Sequence, residues 1–314
     1  MRITNETLMN NLKNNISRNY RRLNSSLIKS YTGKKQLRFS EDTISARTAM
    51  RSRERLDKLQ QYGNNLDSAR SWLEYTETSL SELNGVVERA YELSVYVSNG
   101  TKTEEDFQTV AKEFTQLRDA AVDILNSTYG ERYIFGGYNT SVRPFEYNKD
   151  DGSLKYNGIE LNNPTPDDEA KLELLKGQQI NYGISDTSVL EVSISGVRCT
   201  GTGEDNLIAS FDKILAALGN PGNFDDSCIS DMQKHQTNVL TLVSEVGSKI
   251  NRIDVTESKN RLDKSNYEKL LSASEDIDLE EAIMNYRSAE AIYQTTLSAG
   301  SKVIQPSLLD FINY

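Results

Sequence analysis

Residues 59–97 read LQQYGNNLDSARSWLEYTETSLSELNGVVERAYELSVYV, and their spacing decides the fold class. Alternating steps of three and four pick out Leu59, Tyr62, Leu66, Ala69, Leu73, Thr76, Leu80, Leu83, Val87, Ala90, Ser94 and Val97, of which ten of twelve are apolar or aromatic. Such a repeat keeps one narrow stripe on one side of a helix, and a stripe this long needs other helices to cover it. The seam extends back toward Ser40 and stops at Ser98-Asn99-Gly100, which suits a helix C-terminus.

A second helix follows. Thr103 is a good N-cap, Glu104, Glu105 and Asp106 suit the positive end of the helix dipole, and Phe107, Val110, Phe114, Leu117, Ala121, Ile124 and Thr128 form its seam up to Tyr129-Gly130. The short connection predicts an antiparallel hairpin of the two helices. The texture then changes: residues 133–203 hold nine of the 18 glycines and three of the five prolines. FEYNKDDGSLKYNG alternates around Asp151-Gly152 as a β-hairpin does, and VLEVSISGV (189–197) reads as another strand. Helices resume over 206–219, closed by Gly219-Asn220-Pro221, and continue along Ile229, Met232, Gln236, Val239, Val243, Val246, Ile250 and Ile253. Both ends carry thin stripes: Leu8, Leu12, Ile16, Tyr20, Leu23 and Leu27 at one, and Leu279, Ile283, Tyr286, Glu290, Tyr293, Leu297, Gly300 and Ile304 at the other.

The expected fold is therefore mainly α, a long antiparallel coiled-coil-like bundle of N- and C-terminal segments with a small β-rich insert. Three domains are expected: 1–45 with 275–314 as a terminal helical assembly domain, 46–140 with 206–274 as the helical bundle, and 141–205 as the insert. Thin stripes bury little area, so the terminal helices are expected to order only when other subunits cover them.

Hydrophobic content of 37% with 26% charged residues fits narrow seams better than a thick layered core. Residues 1–60 hold 14 Lys/Arg against 5 Asp/Glu, and the rest of the chain 22 against 41. No zinc-finger, RNA-binding or basic-zipper pattern accompanies the basic part, so pairing within or between subunits is favoured over nucleic-acid binding. Cys199 and Cys228 are too few for a disulfide scaffold, although one bridge between them stays open. No apolar run is long enough to span a membrane, and MRITNETLMNNLKNNI lacks the apolar core of a secretory signal.

No catalytic or metal constellation emerges, so the chain is expected not to be an enzyme and to need no cofactor or metal. The single histidine, His235, reads as a surface helix residue. Glu41-Asp42 reads as a helix start after Ser40, and the acidic run 275–281 as a solvated or partner-facing stretch before a helix. Asn148–Gly152 resembles a calcium loop only faintly, since Ile159 stands where the bidentate Glu belongs. In YGERYIFGGYNTSVRPF (129–145), Gly136-Gly137 lacks a phosphate-loop frame and reads as the joint between helix and sheet. Tyr133, Phe135 and Phe145, with Pro144, are expected to anchor the emerging hairpin on the helices.

Several segments together resemble the hook-associated members of the bacterial flagellin family. They are MRITNETL at the start, TGKKQLRFSEDTISA (32–46), the helix-to-hairpin passage 111–145 with its aromatic-Phe-Gly-Gly and Pro-Phe, and 274–312 with Ser-Leu-Leu-Asp near the end. Phe39, Glu41 and Thr43 stand where the family usually has Pro, Asp and Pro. The resemblance implies a structural subunit at the hook–filament junction, exported through the flagellar type III apparatus without a cleaved signal peptide and placed outside the cell. Its implied partners are other copies of itself, the first hook-associated protein, flagellin and an export chaperone. Filament flagellin itself is the alternative. Assembly contacts are then expected at Leu8, Leu12, Ile16, Leu23, Leu27, Leu279, Ile283, Tyr286, Tyr293, Leu297, Leu308 and Leu309, with the loop Gly33, Lys34, Ser40, Glu41 and Asp42 supplying a turn and charged contacts.

Overall fold

The computed structural model describes residues 5–98, 103–149, 151–203, 205–219 and 226–304. Its helices are α1 (Asn5–Thr32), α2 (Thr43–Ser98), α3 (Glu104–Leu125), α4 (Pro166–Gly177), α5 (Gly196–Thr200), α6 (Leu207–Gly219), α7 (Asp226–Glu275) and α8 (Leu279–Ile304). The strands are β1 (Thr128–Tyr129), β2 (Arg132–Tyr133), β3 (Phe145–Tyr147), β4 (Leu154–Tyr156), β5 (Ile159–Glu160), β6 (Asn181–Gly183) and β7 (Val189–Glu191). The chain divides into two compact units: unit 1, Met1–Leu59 with Arg261–Tyr314, and unit 2, Gln60–Asn260. The expected mainly helical bundle with small antiparallel strand pairs in the middle is what is observed.

Unit 2 is built on the seam of α2. Leu66, Ala69, Leu73, Leu80, Leu83, Val87 and Ala90 are all but inaccessible. Thr76 and Ser94 join that seam because each hydroxyl donates to the carbonyl four residues back, which removes the cost of burying it. α3 starts as its sequence dictates: Thr103 and Asp106 form a reciprocal capping box. The α2–α3 hairpin is antiparallel, with Arg89 bonded to Glu113 near one end and Ser79 to Ser127 near the other. α7 also runs antiparallel to α2, since Arg70 pairs with Asp254 and Glu257 while Gly63 faces Asn260. α6 lies on α3 through an edge-on Phe114–Phe211 contact.

Three expectations change here. α3 ends at Leu125, capped by Asn126, and Thr128 lies in β1 paired with Tyr133, because the β1–β2 hairpin takes over the backbone groups that a longer helix would use. The strand expected over 189–197 is only β7, with an isolated bridge at Ser195, and α5 begins at Gly196. The middle region also holds α4, capped by Thr165 with Pro166 in its first turn. The hairpin at Asp151-Gly152 is as expected: β3 and β4 pair antiparallel across it, and β5 adds a third strand.

In unit 1, α1 and α8 lie side by side and antiparallel. Leu12 packs over Gly300, Asn19 donates to Thr296 at 2.7 Å, and the Tyr20 and Tyr293 rings sit 5.9 Å apart. The helix breaks expected at Asn99-Gly100 and Asn220-Pro221, and the contacts expected at Leu308 and Leu309, lie outside the described residues, as do the side chains of Leu8 and Ile304.

Candidate assembly surfaces

The terminal stripes divide into two sets. On α8 the residues turned toward α1 are Ala282, Tyr286, Ala289, Tyr293, Thr296 and Gly300; the two alanines and the glycine are fully covered, the others half-buried. Leu12, Ile16 and Leu23 are their half-buried counterparts on α1. Leu27, Leu279, Ile283 and Leu297 stay exposed, joined by Met9, Ile28, Met284 and Ile292. Small residues let two helix backbones approach closely, so the pair is centred on Ala and Gly and turns much of its larger apolar surface outward. A run of exposed large side chains on paired helices is an unfinished interface.

The loop 33–42 is tied down inside unit 1. Gly33 adopts φ +66, the left-handed region that lets the chain leave α1, and its carbonyl accepts from Ile277 N at 3.0 Å. Lys34 and Asp276 face each other in an antiparallel bridge, and Lys35 N donates to the Glu275 carbonyl at 2.7 Å. Lys34 Nζ reaches Asp276 at 2.8 Å and Glu275 at 3.0 Å, and Arg53 also bonds Glu275. The acidic stretch expected to face solvent or a partner is therefore, at Glu275 and Asp276, paired within the chain, while Asp278 caps α8. The bonds to Lys34 draw the Asp276 carboxyl below its ordinary range. The start of α2 is capped by Asp42 rather than Ser40: its Oδ1 accepts from Ile44 N and Ser45 N, and Glu41 pairs with Lys29.

The helix-to-hairpin joint is closed by packing. Phe135 and Phe145 are fully buried, Pro144 is buried and Tyr133 half-buried. Asn126, the cap of α3, accepts from Phe145 N at 3.0 Å and donates to its carbonyl at 3.1 Å, so the end of the helix fixes the start of the sheet. Gly136 bridges Ser195, where a Cβ would stand 2.4 Å from the Asn139 carbonyl oxygen, and Gly137 takes φ +67. Packed backbone, with no open cradle, surrounds the glycine pair.

Two polar clusters escaped the sequence reading. Arg118 on α3 bonds Asp212 on α6 and lies over the Tyr147 ring, whose hydroxyl also donates to Asp212 at 3.0 Å. Burial, then the Asp212 carboxylate, pushes the Tyr147 phenol up to about 12. His235, expected on the surface, is buried at 8% exposure because α6 lies across that face of α7; its Nε2 is 3.0 Å from Ser210 Oγ, and burial lowers its pKa. The apolar helical setting that hides a histidine is supplied by residues far away in sequence, so no local signal marks it. Cys199 is a buried thiol outside any disulfide, raised to about 12 by burial, which answers the open question of a bridge to Cys228. Among the described residues no group of His, Cys, Asp and Glu is arranged to hold a metal ion, and no helix is long and apolar enough to cross a membrane.

The paired chain ends keep an exposed apolar face, and residues 3–140 match the bacterial flagellin N-terminal helical region. Along most of its length the chain is similar to flagellar hook-associated protein 3. It is 28% identical over 280 residues to that of Salmonella typhimurium, covering 84% of this chain and 85% of the relative, and 28% over 285 residues to that of Escherichia coli K12, covering 86% of each. Solved structures share the fold. They include a flagellar hook-associated protein from Vibrio parahaemolyticus (TM-score 0.63, 17% identity, 75% of this chain and all of that one) and the flagellar junction protein from Legionella pneumophila (TM-score 0.57, 13% identity, 74% and all).

Proposed function

We propose that the chain is a structural subunit of the bacterial flagellum that joins hook to filament, polymerising through its terminal helices. The similarity to hook-associated protein 3 over more than four fifths of both chains carries this reading. The filament-flagellin alternative is not favoured, because the flagellin match covers residues 3–140 while the full-length relatives are hook-associated. On this reading the exposed set Leu27, Leu279, Ile283 and Leu297, together with Leu308 and Leu309, makes contacts between subunits. The half-buried set Leu12, Ile16, Leu23, Tyr286 and Tyr293 holds the α1–α8 pair that presents them. Residues 1–45 with 275–314 form the assembly part, 46–140 with 206–274 the bundle and 141–205 the outward insert. The partners are further copies of the chain, the first hook-associated protein, flagellin and an export chaperone. The site of action is outside the cell.

Labelling of the protein on intact cells tests this. Signal confined to a thin zone at the filament base is expected; label along the whole filament would return the assignment to flagellin. Deletion of residues 305–314 is expected to leave a folded protein that no longer joins a filament, and full motility from that variant would count against the assembly role.

A further inference from the structure

Charge is segregated between the two units. Unit 1 holds 19 Lys/Arg against 14 Asp/Glu, whereas unit 2 holds 17 against 32. The contrast is sharpest along α2. Residues 43–59 carry Arg47, Arg51, Arg53, Arg55 and Lys58 against Glu54 and Asp57; residues 60–98 carry Arg70 and Arg89 against six acids. In unit 1, Lys35, Arg38, Arg47 and Arg51 are exposed and make no ion pair among the described residues, and Phe39 and Met50 stand out between them at 72% and 68% exposure. In unit 2, Asp67, Glu74, Glu82 and Glu88 share about a third of the circumference of α2. The two arginines of that stretch are already committed, Arg70 to Asp254 and Glu257 and Arg89 to Glu92 and Glu113. Tyr75 is exposed beside these carboxylates.

We propose that the cationic, apolar-studded patch Lys35–Arg51 of one copy docks on the acidic face of α2, Asp67–Glu88, of a second copy. Each patch has the opposite sign and a matching mix of charge and exposed apolar surface, so arginines meet carboxylates while Phe39 and Met50 meet Tyr75. Guanidinium groups over an exposed tyrosine add cation–π attraction. Complementary patches of this kind set register and association rate more than raw affinity. The two surfaces differ, so the contact is head-to-tail: each copy keeps one free patch of each sign, and repetition gives an open chain rather than a closed dimer. The proposal rests on the reading of the chain as a polymerising subunit, and it adds the surface that sets the order of copies.

Sedimentation of the full chain at about 20 mM and about 500 mM salt tests it, since only exposed charge pairing is screened over that range. Self-association at low salt that is lost at high salt is expected. R38E/R47E/R51E and D67K/E82K/E88K should each weaken it by about tenfold or more, with circular dichroism unchanged. An equimolar mixture of the two variants should associate again, because each reversed patch now complements the other. Wild-type protein that stays monomeric at low salt overturns the proposal, as does a mixture that fails to associate. Binding of the wild type, but not of R38E/R47E/R51E, to duplex DNA or anionic vesicles with no self-association would also overturn it, in favour of a polyanion partner. Cell labelling and the 305–314 deletion judge the flagellar reading, and association in solution judges this contact.

Discussion

The Arg118 guanidinium on α3 donates to the Asp212 carboxylate on α6 across 2.8 Å and lies 4.7 Å from the centre of the Tyr147 ring on β3. One nearly buried cation thus fastens two helices and the first strand of the sheet. Removing one partner of a buried pair leaves the other charge uncompensated, which costs about 3–5 kcal/mol when burial is complete. Asp212 keeps about a quarter of its side-chain exposure, so Asp212→Ala is expected to cost less, about 2–3 kcal/mol. Arg118→Met with Asp212→Leu should cost less than the sum of the single changes. Urea unfolding of all three variants measures the coupling, and strict additivity would show that the pair is not a unit.

Two groups contribute to the pH dependence of unit 2 in separate windows. His235 is held neutral by burial, with its folded pKa below the ordinary 6.5. The unfolded chain then binds the proton first, so stability is complete above pH 6.5 and falls as pH drops through the folded pKa. Glu245 runs lower: the bonds from Arg198 and the neighbouring Lys249 bring it from 4.5 to about 2. Its contribution is complete above pH 4.5 and is lost between there and about 2. His235→Gln is expected to flatten the upper window and Arg198→Met the lower one. Thermal midpoints between pH 8 and 3 read both, and an unchanged profile in His235→Gln would remove the histidine from the account.

Two glycines should respond oppositely to alanine. A Cβ on Gly196 would lie 2.4 Å from the buried Phe145 ring and 2.9 Å from that of Tyr156. Both rings are fully enclosed, so Gly196→Ala is expected to destabilise by about 1–3 kcal/mol. Gly85 sits on the exposed side of α2 with nothing within 4 Å of its would-be Cβ. Gly85→Ala should stabilise by about 0.5–1 kcal/mol through helix propensity alone. Denaturation midpoints of the two variants check the signs.

What could be read along the chain was whatever one helix or one turn decides by itself. The α2 seam, the Thr103 cap and the Asp151-Gly152 turn are local patterns, and each stands as read. Features decided by remote partners were hidden. His235 is covered by α6, and Arg118 finds Asp212 94 residues away. α4 buries only Leu172, so its sequence carries almost no apolar period to detect. On α8 the spacing marks Tyr286, Tyr293 and Gly300, whereas Ala282 and Ala289, which are also buried, are too small to stand out in an apolar pattern. Of the assembly surface, the stripe was visible, and which edge of it the chain keeps for itself was not.

Gly300 tests that division directly. Its would-be Cβ meets two Leu12 methyl carbons at 3.3 Å, tighter than ordinary contact, where α8 packs on α1. A methyl group alone is offset by the better helix propensity of alanine, worth about 1 kcal/mol, so Gly300→Ala should leave the pair nearly unchanged. Gly300→Val adds two more carbons against Leu12 and forces the helices apart. Amide exchange is then expected to speed up across residues 5–32 and 279–304, while residues 60–98 and 226–260 keep their protection. Equal protection of the terminal helices in wild type and Gly300→Val would mean that this contact does not hold the pair, and the outward face of Leu279, Ile283 and Leu297 would lose its supporting partner.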